Sequence, residues 1–367
     1  MILALIAMFF AAAYCSFLLA LRVGLTNLEV NRESNMATIS IIVAMKNEGT
    51  NVRSCLEALI RQNYAKDKME IVVVDDGSTD ETPQLLEAYR SQCPGLKVIR
   101  HQSSVETFGG KKSALSTGIK ASEGEILLFT DADCVPPADW AAKTAAHFAP
   151  GVGLVVGFSP LYDPKDTLIG KLLLIDSLVN GIVAAGSIGL GTAATCTGRN
   201  LAYRRQVYDQ VNGFNDIMTS ISGDDDLFLH LVLQKTNWQI RFAREKSTIV
   251  PSYQSKNIVG LFHQKKRHLS AGKYYPLKLK LAYFVFHLSN LSLFLFFLIA
   301  TLTSEQIFFA TFLLGIKFLG DGLLIYSGGK AFGIRPKFES FLLWELFFML
   351  YHVIIAPFAW FGRVRWK

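Results

Sequence analysis

Four long apolar runs frame this chain, one at its start and three near its end. The first covers residues 1–21 and has no charged side chain. The others lie at about residues 281–301, 306–326 and 341–361. A helix of about 20 apolar residues spans a bilayer, so each run predicts a transmembrane helix. Any globular domain is therefore expected between residues 22 and 280.

The first run could also be a cleaved signal peptide. Such a peptide has a basic n-region, a shorter apolar core and a small-residue cleavage site. No basic residue precedes the core in this chain, and no clear cleavage site follows it. We interpret residues 1–21 as a retained N-terminal transmembrane anchor.

Basic residues beside the apolar runs predict the orientation of the chain. The connection at residues 328–337 is basic, and the positive-inside rule places it in the cytoplasm. Lys273, Lys278 and Lys280, just before the second run, agree with this placement. We expect a multi-pass protein of the cell (inner) membrane, with the region between residues 22 and 280 in the cytoplasm.

The last run does not fit this scheme completely. If residues 341–361 cross the membrane, the basic tail at residues 363–367 lies on the opposite face. The run also contains Glu345 and His352, and polar groups in such runs usually pack against a neighbouring helix. The sequence leaves open whether this run crosses the membrane or lies partly in the interface.

Another apolar stretch lies inside the central region, at residues 172–196. It contains Asp176, Asn180 and four glycines. We expect this stretch to be a buried or interfacial segment of the globular domain, and not a transmembrane span.

The composition narrows the classes of partner. The net charge is +7, and the chain is 51% hydrophobic and 18% charged. A basic balance can indicate nucleic acid, anionic lipid or an anionic substrate. Here the basic residues gather beside apolar runs and no nucleic-acid-binding motif is present, which favours the membrane and argues against nucleic acid. The five cysteines are scattered without zinc-site spacing, as is typical of reduced thiols.

From residue 38 onward, apolar strands alternate with helical patterns. Strands are predicted at residues 39–44, 70–74, 96–100, 126–130 and 153–158. Helices are predicted at residues 51–62, up to about residue 90 after an N-cap at Ser78 or Thr79, and at residues 112–120. This alternation predicts an α/β domain with a mostly parallel sheet that is covered on both faces.

Two pairs of aspartates follow predicted strands. Asp131 and Asp133 come after an apolar strand, and because alternate residues of an extended chain point the same way, both can hold one hard divalent cation. Asp75 and Asp76 end another strand upstream. The carboxyl ends of parallel strands are where α/β sheets bind ligands. The sequence predicts a site for a metal-bound, phosphate-bearing ligand at this edge.

Seven short segments of the central region follow one another in an order known from an enzyme family. They are Ile-Val-Ala-Met-Lys-Asn-Glu, Val-Val-Val-Asp-Asp-Gly-Ser-Thr-Asp, Gly-Gly-Lys-Lys-Ser-Ala-Leu, Thr-Asp-Ala-Asp, Thr-Gly-Arg-Asn-Leu-Ala-Tyr-Arg-Arg, Ser-Gly-Asp-Asp-Asp-Leu and Gln-Lys-Lys-Arg-His. Each alone is weak, but the ordered set, over about residues 39–271, resembles a family 2 glycosyltransferase with the GT-A fold. The resemblance implies a Rossmann-like catalytic domain at residues 36–272, between the anchor at 1–21 and a transmembrane region at 281–361.

The resemblance also implies how a donor would bind. In similar enzymes Mg²⁺ or Mn²⁺ neutralises the charge that develops on the diphosphate of a nucleotide-sugar donor. Asp131 and Asp133 would hold this ion, with Asp133 favoured as the direct ligand. The other donor-binding residues would be Asp75 and Asp76 for the base and ribose, Asn47 and Glu48 at the pocket, and Lys111 and Arg267 for the diphosphate.

An inverting transfer needs a base for the acceptor hydroxyl, and similar enzymes take it from an acidic motif. This chain has three consecutive aspartates, Gly223-Asp224-Asp225-Asp226-Leu227, so the register is open. We favour Asp225, with Asp224 next. Three neighbouring like charges should raise at least one pKa, which suits a base. The same cluster would also suit the N-terminus of a helix.

The run Gln264-Lys-Lys-Arg267-His268 resembles the Gln-x-x-Arg-Trp motif of the family. Arg267 would contact the diphosphate, and Gln264 would lie on the acceptor side. This chain departs from the motif in having His268 where Trp is usual. The departure weighs against a processive synthase, in which the Trp helps to hold the growing chain.

These residues favour an inverting glycosyltransferase at the cytoplasmic membrane face. It would transfer a sugar from a nucleotide-diphosphate donor to a lipid-linked or other cell-envelope glycan acceptor. A processive polysaccharide synthase and a non-catalytic nucleotide-sugar-binding membrane protein are the alternatives. A phosphohydrolase with an Asp-x-Asp nucleophile is disfavoured, because its pair would follow the first strand and Val135 stands one position late.

Overall fold

The computed structural model describes residues 2–29, 37–93, 95–102, 110–220, 222–254 and 258–361. The basic tail at residues 363–367, which bears on the topology of the last apolar run, lies outside this part of the chain. The strands are β1 (Ile39–Met45), β2 (Met69–Asp76), β3 (Leu96–His101), β4 (Ile126–Phe129), β5 (Val152–Gly157), β6 (Leu161–Tyr162), β7 (Leu201–Arg204), β8 (Gln239–Ala243) and β9 (Ser252–Tyr253). The helices are α1 (Ile2–Thr26), α2 (Gly49–Ile60), α3 (Thr82–Gln92), α4 (Lys111–Ala121), α5 (Trp140–Ala146), α6 (Leu168–Gly189), α7 (Arg205–Gln210), α8 (Asp226–Lys235), α9 (Ile258–Ala271), α10 (Leu277–Thr303), α11 (Ile307–Phe332) and α12 (Phe338–Phe361).

A seven-stranded sheet forms the centre of the molecule, in the order β3-β2-β1-β4-β7-β5-β8. Strand β7 runs antiparallel to β4 and β5, whereas the other neighbouring strands pair in parallel. The prediction of an α/β domain with a mostly parallel sheet is confirmed. The short strands β6 and β9 form a separate parallel pair.

Both faces of the sheet are buried, which explains why its strands are apolar at consecutive positions. Ile41, Ile42 and Val43 of β1 are fully buried. Ile41 and Val43 belong to a cluster with α2 and α5. Ile42 belongs to the cluster on the other face, which includes α4 and α6 and continues into α1, α11 and α12. One hydrophobic core therefore joins the sheet to the long apolar helices.

The N-cap predicted for the second helix is wrong. Helix α3 begins only at Thr82, whose backbone N–H donates to Asp80 Oδ1 over 3.0 Å. Ser78 and Thr79 instead join two loops: Ser78 Oγ accepts from Asn47 N at 2.9 Å, and Thr79 N donates to Asn47 Oδ1 at 2.8 Å. The side chains that resemble a cap are used to fix the loop after β1.

Four long apolar helices, α1 at one end and α10, α11 and α12 at the other, confirm the predicted arrangement. Helices α1, α10 and α11 are each long and apolar enough to cross a membrane. Glu345 of α12 contacts the buried Lys317 of α11, as expected for a polar group packed against a neighbouring helix.

Helix α6 occupies the apolar stretch predicted inside the globular domain. By length and composition it too could cross a membrane. However, 61% of the most apolar 18-residue segment of α6 is buried inside the protein, against 22–33% of the corresponding segments of α1, α10 and α11. It packs between the sheet and the apolar helices. Its contact with α1 is very close: a Cβ added at Gly186 would lie 2.7 Å from Leu21 O, and one at Gly189 would lie 2.0 Å from Gly24 O. Only small residues let two helices approach so closely.

Candidate active site

The carboxyl ends of three central strands open into one cavity of ≈ 1020 Å³. Glu48 follows β1, Asp76 ends β2, and Asp131 and Asp133 follow β4. Most of the residues predicted for the site line this cavity; they are Glu48, Asp76, Lys111, Asp131, Asp133, Asp224, Asp225, Gln264 and Arg267. The parallel topology thus brings together segments that are far apart in the sequence.

Two of the predicted donor-binding residues, Asn47 and Asp75, are not among those that line the cavity. Asn47 has a positive φ of 54° and is held by the backbone of the loop after β2. Asp75 is buried, and its Oδ1 accepts from Ser78 N at 3.1 Å. Both side chains therefore fix the turns that present Glu48 and Asp76.

Asp131 and Asp133 lie together at the cavity wall. Gln254 Nε2 donates to Asp133 Oδ2 over 3.1 Å. Burial and the charge of Asp131 raise the pKa of Asp133. A divalent cation would offset this negative charge, and carboxylate oxygens are ligands that Mg²⁺ and Mn²⁺ accept, so the pair fits such an ion.

The protein supplies only part of a coordination shell at this position. Within the described residues no group of three His, Cys, Asp or Glu side chains could hold a metal. Gln254 Oε1, beside Asp133, is buried and has no hydrogen-bond partner there, so a further oxygen is close by. An ion held by Asp131 and Asp133 would otherwise depend on oxygens from a ligand or water.

Lys111, the first residue of α4, bridges two acidic segments. Its Nζ lies 2.6 Å from Asp131 Oδ1 and 3.1 Å from Asp224 Oδ2. Burial alone would lower the pKa of Lys111, but the carboxylates of Asp131 and Asp224 outweigh it and raise the pKa. The ammonium group therefore stays charged and holds the acid pair against the loop before α8.

The next residue, Lys112, also fixes the loop before α8, through backbone carbonyl groups. Its Nζ donates to the carbonyl oxygens of Ser220 and Ser222 over 2.6 and 2.9 Å. Lys112 is buried, and burial lowers its pKa. The sequence predicted only Lys111, because nothing in the pattern Gly-Gly-Lys-Lys distinguishes the ligand-facing lysine from the structural one.

The three consecutive aspartates have three different environments. Burial acts to raise the pKa of Asp224, but Lys111 and Lys112 outweigh it, and the pKa is lowered. Asp226 accepts from Thr195 Oγ1 at 2.8 Å and from Tyr275 OH at 2.6 Å. Side chains therefore hold both carboxylates, and Asp226 Oδ1 also accepts from the backbone N–H of Cys196 at 2.7 Å.

Asp225, between them, is held differently. Its oxygens accept backbone N–H groups, from Gly198 at 2.9 Å and from Asp226 at 2.8 Å. Burial, together with the charges of Asp224 and Asp226, raises the pKa of Asp225 to about 7. A half-buried carboxylate with this pKa that lines a cavity is suited to accept a proton near neutral pH.

Helix α9 carries the run from Gln264 to His268 that resembles the Gln-x-x-Arg-Trp motif. Gln264, Arg267 and His268 line the cavity, and Gln264 Oε1 is buried without a partner among the described residues. Lys265 between them also lines the cavity, and it forms a buried ion pair with Asp176 of α6. This ion pair fixes α9 against α6, so that the motif faces the strand ends.

Three residues of the site were missed by the sequence reasoning: Thr195, Gln254 and Tyr275. Thr195 precedes Asp226 in the sequence and Tyr275 follows it, and both donate hydrogen bonds to its carboxylate. Gln254 donates a hydrogen bond to Asp133. None stands in a recognisable spacing with its partner. Only the folded arrangement brings them together.

The cavity continues beyond the acidic residues into the apolar helices. Leu18 of α1, Phe286 of α10, Leu324 of α11 and Phe348 of α12 line this second half. A polar half at the strand ends and a mainly apolar half among the helices therefore form one continuous space.

Comparison with known proteins agrees with this architecture. The family described as Glycosyl transferase family 2 matches residues 40–211, and Glycosyl transferase family group 2 matches residues 126–325. The chain is 27% identical over 244 residues to a beta-monoglucosyldiacylglycerol synthase of Nostoc sp., covering 65% of this chain and 50% of the relative. It is 34% identical over 193 residues to glycosyltransferase AglE of Haloferax volcanii, covering 52% and 60%. The chain thus spans half of the length of the first relative and three fifths of the second.

Among solved structures, mannosyltransferase PcManGT from Pyrobaculum calidifontis has a similar fold. Its structure, a complex with GDP-Man and Mn²⁺, superposes with a TM-score of 0.56. The sequences are 18% identical, and the match covers 97% of this chain and 95% of the other. At this identity the similarity shows the GT-A fold.

Proposed function

The chain belongs to glycosyltransferase family 2, and on that premise we propose that it is a membrane-bound, metal-dependent inverting transferase. It moves one sugar from a nucleotide-diphosphate donor to a lipid-linked or cell-envelope acceptor. The observation that carries the proposal is that Asp225, with its raised pKa, lines the same cavity as Asp131 and Asp133. A base and a metal-binding pair in one cavity are what a single-displacement transfer requires.

The donor binds at the polar half of the cavity. Asp131 and Asp133 would hold Mg²⁺ or Mn²⁺, and the bound ion would neutralise charge on the leaving diphosphate. Lys111 and Arg267 line the same cavity and add positive charge for the phosphates. Asp76 lies where the nucleoside would be, on a turn that Asp75 and Asn47 fix. The GDP-Man and Mn²⁺ in the PcManGT structure support this ligand class.

Asp225 acts as the base. It takes the proton of the acceptor hydroxyl while that oxygen forms a bond to the anomeric carbon. The bond between this carbon and the diphosphate oxygen breaks at the same time, and one such displacement inverts the anomeric configuration. Asp224 is less suited to this step because Lys111 and Lys112 lower its pKa, and Asp226 because the hydroxyls of Thr195 and Tyr275 both donate to it.

The acceptor approaches from the apolar half of the cavity. Gln264, with its unpartnered Oε1, lies where it can contact the acceptor. The similarity to a beta-monoglucosyldiacylglycerol synthase supports a lipid acceptor. The basic residues at 328–337 support a cytoplasmic site.

A donor screen on the purified full-length protein in detergent tests this function. UDP- and GDP-sugars would be supplied with Mn²⁺, with Mg²⁺ or with chelator, and released nucleoside diphosphate would be measured. We expect metal-dependent release from a restricted set of donors, and transfer when membrane lipids are added. If no nucleotide sugar binds or reacts under any of these conditions, the proposed function is wrong.

A further inference from the structure

The segment of residues 197–205 contains three arginines, and one of them has few partners. Arg204 and Arg205 each donate several hydrogen bonds to carbonyl oxygens and side chains around the sheet. Within the described residues Arg199 donates one, from Nη2 to Ser159 O over 3.2 Å. Its Nε–H is buried without a partner there, and it forms no ion pair with a described carboxylate. An arginine has five N–H donors, so most of those of Arg199 have no protein partner in this part of the chain.

This shortage of partners points to a ligand. Arg199 is half-buried and lines the cavity, so a bound molecule can reach it. A guanidinium held away from water without partners is costly, whereas its planar fork binds neighbouring oxygen atoms strongly. The ligand that fits Arg199 therefore presents oxygen acceptors at this point of the cavity.

The backbone on both sides of Arg199 is fixed. Gly198 N donates to Asp225 Oδ2 over 2.9 Å. On the other side, the buried Asn200 donates from Nδ2 to Thr248 O over 2.7 Å. A side chain that extends from such an anchored backbone is positioned before any ligand binds, as a selective contact requires.

Arg199 also lies close to the proposed metal-binding pair. In the antiparallel pairing of β4 with β7, Phe129 stands opposite Leu201. Asp131 and Arg199 each lie two residues beyond this pair, which places them side by side at the strand ends. Arg199 is thus opposite a proposed metal ligand and one residue from the backbone N–H that holds the proposed base.

In the proposed reaction the transferred sugar occupies this same interval. Its anomeric carbon is bonded to the diphosphate, whose charge the ion at Asp131 and Asp133 would neutralise. The acceptor oxygen that attacks this carbon gives its proton to Asp225. The sugar therefore lies between the metal-binding pair and the base, as Arg199 does.

We propose that Arg199 is a specificity-determining residue for the donor, and that its guanidinium binds substituent oxygens of the transferred sugar. The inference rests on the proposed function, since it names a contact within that transfer. A site that donates hydrogen bonds to a particular oxygen rejects sugars that lack it or present it in another direction, because its N–H groups then stay unpaired. Arg199 selects the sugar, whereas Lys111 and Arg267 bind the phosphates that every donor shares.

Arg199→Met tests this contact, because it removes the guanidinium and retains an unbranched side chain. The full-length protein in detergent would be titrated by calorimetry with Mn²⁺ present, using UDP-glucose and GDP-mannose on one side and free UDP and GDP on the other. We expect the variant to bind the sugar nucleotide about tenfold more weakly, as the loss of one charged hydrogen bond predicts. Free nucleoside diphosphate should bind as tightly as to the wild type.

Two other results would overturn the inference. Equal weakening with the sugar nucleotide and with free nucleoside diphosphate would mean that Arg199 binds the diphosphate. No weakening with either would mean that Arg199 only supports its own loop. If Arg199→Met does not fold, Arg199→Lys takes its place, because it keeps the charge and loses the fork; it must show the same selective loss, in smaller measure.

Two further arginine variants calibrate the measurement. Arg267→Met should weaken the binding of sugar nucleotide and of free nucleoside diphosphate alike, since Arg267 is assigned to the phosphates. Arg53→Met should behave as the wild type with both, because Arg53 is exposed and does not line the cavity.

Donor selectivity gives a readout that a merely structural role would not move. UDP-glucose, UDP-galactose and UDP-N-acetylglucosamine share a nucleotide and differ only in the sugar. The ratio of kcat/KM between the best and the poorest of them should fall about tenfold in Arg199→Met. An unchanged ratio, with all donors slowed equally, contradicts a role in selecting the sugar.

The wild type separates this inference from the proposed function. If it binds neither a sugar nucleotide nor free UDP or GDP, the proposed function fails and the inference fails with it. If it binds and turns over a donor but Arg199→Met shows no selective loss, only the inference fails and the transferase remains.

Discussion

The hydroxyl of Tyr275 donates a hydrogen bond to Asp226 over 2.6 Å. Tyr275 lies two residues before α10, one of the long apolar helices, and Asp226 is the first residue of α8. The segment that enters the apolar helices is thereby joined directly to the turn that carries Asp225. The position of the proposed base thus depends on how the chain enters α10.

Replacing Tyr275 by Phe tests this connection. The variant loses the hydrogen bond to Asp226, so the turn at Asp225 should be held less firmly. We expect kcat for transfer to fall about tenfold, while KM for the donor and the Tm change little. Tyr274→Phe is the control, because Tyr274 is half exposed and should tolerate the change. An equal loss in both variants would contradict a specific role of the Tyr275 hydroxyl.

Asp225→Asn should abolish most transfer without preventing donor binding. The amide cannot take a proton, so we expect kcat to fall by roughly 10²- to 10⁴-fold. Donor affinity, measured by calorimetry with Mn²⁺ present, should stay within a few-fold of the wild type. Asp224→Asn should instead weaken donor binding, because Asp224 holds Lys111. If Asp225→Asn stays active while Asp224→Asn loses transfer, the base is Asp224.

The pKa of Asp225, raised to about 7, predicts the pH dependence of transfer. Below this pH the carboxyl is protonated and cannot accept the acceptor proton. The rate should therefore rise about tenfold per pH unit up to about 7 and then level off. A pH series of kcat at saturating donor measures it, with residual Asp225→Asn activity expected to show no such step. A half-maximal rate near pH 4 would mean that Asp225 titrates as an ordinary aspartate.

Asp133→Ala should remove metal-dependent donor binding. The wild type should bind its donor more tightly with Mn²⁺ and lose this gain when chelator is added. In Asp133→Ala, calorimetry should show the same weak binding with and without the ion. The control is Asp139→Ala, because Asp139 lies at the start of α5 and does not line the cavity. A Mn²⁺ effect that persists in Asp133→Ala would exclude Asp133 as a ligand.

Gly186→Ala should destabilise the protein at the crossing of α1 and α6. The new Cβ would lie 2.7 Å from the backbone oxygen of Leu21, so the helices must move apart. Overpacking of this kind costs about 1–3 kcal/mol, which should lower the Tm by several degrees in a thermal unfolding scan. Gly315→Ala in α11 is the matched control, since nothing lies within 4 Å of its added Cβ. Equal Tm values for both variants would refute a tight crossing.

The fold was predictable from the sequence where local patterns determine it. Strands such as β1 are buried on both faces and so appear as continuous apolar runs, and each of the four long helices has an apolar run of its own. The start of α3 was not predictable, because Ser78 and Thr79 have the chemistry of a cap but bind the loop at Asn47 instead. Nothing local distinguishes these two uses.

The candidate site was predictable only in part. The acidic pairs and the motif of α9 stand out as residue types at fixed spacing. The different environments of Asp224, Asp225 and Asp226 depend on Lys111 and Tyr275, which approach from other elements. Likewise, the extension of the cavity into the apolar helices depends on how α1, α6 and α10–α12 pack against one another. The motifs at the strand ends contain no information about that packing.

The close crossing of α1 and α6 means that the first helix is more than a tether. Leu18 and Leu25 of α1 share one buried cluster with Phe158 and Ile182, beside the sheet. A version of the protein shortened to make it water-soluble would expose that surface and lose one wall of the cavity. During synthesis, α1 is made before α6 and meets it only after the six strands β1 to β6 have followed. The core beside the sheet is therefore complete only once α6 has packed against α1.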